Sequence, residues 1–151
     1  MQAFFRATDS DSAEEAIDAL VHSGITAEIL AERLRQGRSY PLDDVVDGWT
    51  VRMLEGIDGR IRPYHVFVPP GYEVANEHPV LFDLHGGRMG DPIPPEDHFL
   101  SRVKWQPSAE RLGWIIVYPQ ADANTTWFDE VGRTNLMRQL DALKRTYNID
   151  E

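Results

Sequence analysis

The sequence predicts an α/β fold, in which a β-hairpin leads into parallel strands with crossover helices and is preceded by a short helical hairpin. Three observations carry this prediction. The short apolar runs VLFDL (80–84) and WIIVYP (114–119) are separated by a helical stretch, and a long amphipathic helix follows the second; strand–helix–strand–helix is the order of a parallel sheet with right-handed crossovers. Two extended runs flank an Asp58-Gly59 turn, the signature of a hairpin. The first forty residues carry helix caps and stops, with no alternation of the kind a strand needs.

Taken in order, Ser12 and Glu15 match a capping box ahead of AEEAIDALVH, and Gly24 stops that helix. Thr26 caps AEILAERLRQ, Gly37 ends it, and Ile29, Leu30 and Leu34 give it a narrow apolar stripe. Residues 1–47 therefore read as a helical hairpin docked on the main domain, with an adaptor or dimerisation role as the second reading. From Gly48 the pattern changes to WTVRMLEG and RIRPYHVFV, where Tyr64, Val66 and Val68 alternate with His65 and Phe67 until Pro69 and Pro70 end the strand. The strand in HPVLFDLHGG is short and apolar, as expected of one covered on both faces. After the loop RMGDPIPPEDHF, a helix begins near Pro107 and stops at Gly113. WIIVYPQ, the loop ADANTTWFDEVG and the helix RTNLMRQLDALKRTY complete the chain, with Leu136, Leu140 and Leu143 on one helical face.

At 151 residues the chain suits one domain with a real core, and 42% hydrophobic with 26% charged residues is an ordinary globular balance. Fifteen Lys and Arg against 25 Asp and Glu give a formal charge of −10, which repels phosphate backbones and anionic lipid, so neither nucleic acid nor a membrane surface is an expected partner. No apolar run approaches the roughly 20 residues of a membrane span. The start, MQAFFRATDSDSAEEA, lacks the apolar region of a secretory signal, and the default expectation is a cytoplasmic protein. The absence of cysteine excludes disulfides, thiolate zinc sites and a cysteine nucleophile. Asp91, Glu96, Asp97 and His98 are hard-metal ligand types, but their spacing matches no ligand pattern and a solvated acidic loop is the reading, so no metal or other cofactor is expected.

The stretch with chemical content is LFDLHGGRMG (81–90), an apolar strand that runs into a histidine, two glycines and an arginine. Gly86 and Gly87 allow backbone angles that a side chain would resist, and they let another molecule approach the peptide N–H groups closely. That makes either a backbone oxyanion site or simply a glycine turn that closes the strand.

The order of the pieces then becomes informative. A hairpin ending in HVFVPPGY, the spacer EVANEHP, the strand VLFDLHGG, a helix, WIIVYPQ and a helix ending in KRTYNIDE resembles the first half of an α/β-hydrolase, nearest the branch of esterases and prolyl-oligopeptidase-like enzymes that includes feruloyl esterases and polyhydroxybutyrate depolymerases. The resemblance covers residues 48–151. It implies that the turn at Gly86, Gly87 and Arg88 supplies one backbone donor of the oxyanion hole, the other coming from the residue after the nucleophile. Arg88 stands where many relatives have a third glycine. In this reading His85 supports the loop structurally through hydrogen bonds. Trp127, on the loop after the second parallel strand, either packs against the domain or lines the substrate site at the end of the sheet where ligands bind.

No G-x-S-x-G elbow is present; Gly37-Arg38-Ser39-Tyr40-Pro41 ends in proline and follows a helix, and Ser23-Gly24 lacks the first glycine. The resemblance places the nucleophile strand after a helix ending like TYNID, with the acid and histidine later. The expectation is therefore the N-terminal half of a serine ester or peptide hydrolase, holding one side of the oxyanion hole and none of the triad, inert alone. It would act on a small-molecule ester or peptide by covalent acyl transfer only when completed by a C-terminal half. The strand 80–84 would lie beside the missing central strand, leaving an edge open to a partner chain or to self-association. The alternative is a non-catalytic binding or interaction domain on half of this scaffold. Asp122 and Asp129 read as helix-capping or solvated, and Asp83 should be hydrogen-bonded if buried.

Overall fold

The computed structural model describes residues 1–40, 45–86, 103–121 and 127–150. They belong to two compact units, Met1–Pro41 and Leu42–Glu151. The first holds three helices, α1 (Gln2–Arg6), α2 (Ser10–His22) and α3 (Ala27–Gln36). Helix α1 has no counterpart in the sequence-based reading. The cap of α2 also lies earlier than the Ser12–Glu15 box: the Asp9 carboxylate accepts from the Ser12 N–H at 2.8 Å, and the Ser12 hydroxyl accepts from the Asp9 N–H at 3.3 Å. Both motifs fit the sequence, but an ionised Asp9 is the stronger acceptor for the orphan N–H groups, and its choice adds most of a turn. The Ser12 backbone N–H, and then the Ser12 hydroxyl, hold the Asp9 carboxyl below its ordinary value. Thr26 caps α3 as expected, and Gly37 closes it at φ 71°. Within this unit Phe4, Ile17, Leu20, Ile25 and Leu30 line an apolar cleft of about 410 Å³.

The second unit is built on a four-stranded sheet of β1 (Gly48–Glu55), β2 (Ile61–Val68), β3 (Val80–Phe82) and β4 (Ile115–Pro119), in the order β1-β2-β4-β3. Strands β1 and β2 form the expected antiparallel hairpin, β2 also runs antiparallel to β4, and β3 and β4 are parallel. Helices α4 (Gln106–Leu112) and α5 (Glu130–Thr146) complete it. Pro107 sits in the first turn of α4 and Gly113 takes the left-handed cap, both where the sequence puts them.

Alternation along the strands sorts the side chains onto two faces. Tyr64, Val66, Val68, Ile115 and Val117 pack with Leu143, Tyr147 and Ile149 from α5 and the residues after it, while Phe67 and Ile116 meet Ala109 of α4 together with Trp49 and Trp114. All five residues of β4 are buried, as a strand covered on both faces should be. Strand β3 departs from that expectation: its three residues are only half-buried, and it ends at Phe82, although the Asp83 N–H still donates to the Val117 carbonyl at 2.9 Å. The reason is its place at the margin of the sheet, where only β4 flanks it.

The hairpin is tied to α5 at its turn. The Arg62 guanidinium grips both oxygens of Asp58 at 2.8 and 2.7 Å, and the Asn135 side-chain oxygen accepts from the Ile57 N–H at 3.1 Å. At the other end of α5 the chain turns back toward the sheet. The Asn148 N–H donates to the Tyr72 hydroxyl at 2.8 Å, and His78 pairs in parallel with Ile149 through bonds of 3.0 Å to Asn148 and Asp150. Residues 148–150 thus run alongside the entry to β3, on the side away from β4. Among the described residues no helix is long and apolar enough to cross a membrane, and no group of three or more His, Asp and Glu side chains could hold a metal.

Candidate functional site

At the carboxyl ends of β3 and β4 the backbone leaves the sheet at Asp83 and Gln120, and a third segment enters α5 through Trp127. One side chain joins all three. His85 is buried, 6% exposed. Its Nε2 accepts from the Ala121 N–H at 3.0 Å, so that nitrogen carries a lone pair, and Nδ1 is left as the N–H that reaches the Gly86 carbonyl at 3.0 Å. The His85 carbonyl in turn accepts from the Trp127 indole N–H at 2.9 Å. The two rings meet edge to face, 4.9 Å between centroids at 74°. Tyr118 closes the cluster from β4, 6.0 Å from the His85 ring and 6.1 Å from that of His65, whose pKa is pushed down by burial.

This arrangement fixes what His85 can do. With one ring nitrogen accepting from the backbone and the other donating to it, the imidazole is committed to the neutral tautomer and holds no free nitrogen for proton transfer. Gly86 follows, and it is exposed. Its φ is not in the left-handed region, and a Cβ built on it would meet no described residue within 4 Å. The expectation that Gly86 is needed for its backbone angles is therefore corrected: neither its conformation nor any described neighbour demands glycine there. What remains is its exposed peptide, from whose N–H no described residue accepts.

Of the residues the sequence singled out, the structure brings together His85, Gly86 and Trp127. Gly87, Arg88, Asp91, Glu96, Asp97, His98 and Asp122 lie outside the described residues. Asp129 is not part of the cluster; it caps α5, its carboxylate accepting from the Gly132 N–H at 2.7 Å. Asp83 is buried, 9% exposed, at the end of β3. Sequence reasoning missed Tyr118 and Ala121. Tyr118 has a signal in its strand parity, one residue out of phase with Ile115 and Val117, whereas Ala121 contributes only a peptide N–H and leaves none.

No family model matches the chain. A solved structure described as a thermostable esterase superposes with a TM-score of 0.56 at 22% identity, over 68% of this chain and 32% of that one. The chain carries part of an α/β-hydrolase fold. The poly(3-hydroxybutyrate) depolymerase LpqC from Bordetella parapertussis aligns with a TM-score of 0.46 and 19% identity, over 66% of this chain and 38% of that one. By sequence, 95 residues, 61% of the chain, are 30% identical to the bifunctional acetylxylan esterase/xylanase XynS20E of Neocallimastix patriciarum. The chain spans 13% of that protein's length and about a third of the solved esterase. Within the α/β-hydrolase fold, the cluster at His85 occupies the end of the sheet at which open α/β folds bind ligands.

Proposed function

We propose that the chain forms one wall of the active site of a serine acyl hydrolase and contributes a backbone donor to its oxyanion hole. The observation that supports this reading most directly is the peptide N–H of Gly86. It is exposed, has no acceptor among the described residues, and sits on a turn whose carbonyls are tied down by His85 and Trp127. Fixed donors aimed at the place where negative charge develops lower the barrier of acyl transfer, by roughly 3 to 4 kcal/mol for a single donor. Gly87 and Arg88 continue the proposed donor loop, His85 supports it, and the Trp127 ring lines the acyl group. The substrate is a small molecule with an ester or peptide bond, and the acetylxylan esterase relative favours an ester. No metal or organic cofactor is needed for this chemistry, which uses a serine, a base and the oxyanion donors.

The chain contains no G-x-S-x-G elbow, so the serine must come from elsewhere. Residues 1–151 alone are expected to take no stoichiometric fluorophosphonate label. The decisive experiment captures the protein from its native source with an antibody against residues 12–37, then measures its intact mass with and without fluorophosphonate. The expected result is a species heavier than 17.2 kDa, or a complex, that gains one label on a serine outside these residues. A native product of 17.2 kDa that binds no labelled partner and takes no label overturns the proposal. It would leave the non-catalytic interaction domain as the function.

A further inference from the structure

We infer that Trp127 is a positioning residue, whose indole N–H sets the direction of the oxyanion donor at Gly86; the inference rests on the reading of that N–H as a donor. The His85 carbonyl and the Gly86 N–H belong to one planar trans peptide, so they point in opposite directions and rotate as one body. The Trp127 indole N–H holds the carbonyl at 2.9 Å. It thereby turns the Gly86 N–H to the opposite side of the peptide, away from Trp127. The next carbonyl along, that of Gly86, is held at 3.0 Å by the His85 Nδ1–H. Two successive carbonyls are thus held by two side chains whose rings pack edge to face, and one of those rings is itself anchored to β4 through Ala121.

An exposed glycine turn without such ties rotates its peptides freely, and a donor that must reorient on binding loses much of its value to the developing charge. Trp127 precedes an exposed Phe128, which leads into the N-cap of α5. Its ring is only half-buried, so plain core packing does not account for the length of the side chain. A Phe in its place would keep the edge-to-face contact with His85 and lose only the N–H.

The test uses the 151-residue chain and acetate as the oxyanion probe, titrated against chloride at constant ionic strength and followed at the Gly86 backbone amide by ¹H–¹⁵N correlation. In the wild type the Gly86 cross-peak is expected to move in a saturable way with acetate, and in Trp127→Phe the apparent affinity falls at least threefold. Residual dipolar couplings should also show the Gly86 N–H vector reoriented in the variant, while those of β1 and β2 stay in place. A merely structural role for Trp127 would move neither readout beyond the general loss of stability. If Trp127→Phe binds acetate like the wild type, with an unchanged vector, the positioning role is refuted and the donor reading stands. If the wild-type amide shows no saturable shift, Gly86 is not a donor and both fall. Should Trp127→Phe unfold, benzothienylalanine at position 127 replaces the N–H by sulfur in the same ring shape, and the same titration decides.

Discussion

The salt bridge under the hairpin turn shows how closely one glycine can be tied to its surroundings. A Cβ on Gly56 would lie 2.7 Å from the Asp58 carboxylate and 2.8 Å from both the Arg62 guanidinium and the Asn135 side-chain oxygen. Glycine is therefore what allows the pair to close over the turn. The bidentate Arg62 contact holds the Asp58 carboxyl well below the usual carboxylate range. Because the native pKa is depressed, the stabilisation is fully present above the unfolded value of about 3.9 and is lost as pH falls below it toward the native value. Asp58→Asn removes the carboxylate charge that the buried Arg62 grips, so the variant should melt below the wild type at pH 7, and the gap should narrow once the pH drops under about 4. Melting temperatures of both proteins across pH 2.5 to 7 check this. A gap that stays constant over the range would show that the pair does not carry the effect.

Helix α5 carries both the core and the site, because it seats Leu143 against the sheet and begins three residues after Trp127. Its start depends on one side chain, the Asp129 carboxylate on the Gly132 N–H. Asp129→Ala should cost about 1 kcal/mol, and Asp129→Asn should restore most of it. For a protein of this size that is a loss of roughly 2 to 4 °C in melting temperature, and calorimetry on the two variants tests it. An Ala variant as stable as the wild type would mean that the helix is held by packing alone. The hairpin, β4, α4 and α5 were legible in the sequence because each combines a periodic apolar pattern with a local stop such as Pro69, Gly113 or Pro107. The cap of α2 was not, since Asp9 and Ser12 both begin acceptable boxes and only the folded helix chooses between them. The partial exposure of β3 was equally hidden: VLF reads like the buried IIV of β4, and only the strand order places it at the margin. At the site, His85, Gly86 and Trp127 could be picked out by residue type, but what connects them are backbone carbonyls and N–H groups, which every residue carries and no sequence pattern marks.

Strand order also decides what the assembled sheet leaves open. Parallel pairing engages alternate residues, so Pro79, Leu81 and Asp83 turn their backbone groups toward β4 while His78, Val80 and Phe82 turn theirs the other way. On that outer side His78 is already paired with the segment 148–150, which lies parallel to β3 and in register to continue along it. Val80 and Phe82 face outward with no strand beside them among the described residues, and an unpaired edge of this kind is a template for another strand. In the dilute 151-residue chain, the amides of Val80 and Phe82 should therefore exchange with solvent deuterium much faster than that of Asp83, which donates to Val117 at 2.9 Å. Raising the concentration should slow those two amides as the edge pairs with a second copy, and sedimentation should show the matching rise in mass. Equal protection of Val80, Phe82 and Asp83 in a demonstrably monomeric sample would mean that the chain covers its own edge. The sheet would then offer no place for the strand that brings a nucleophile beside Gly86.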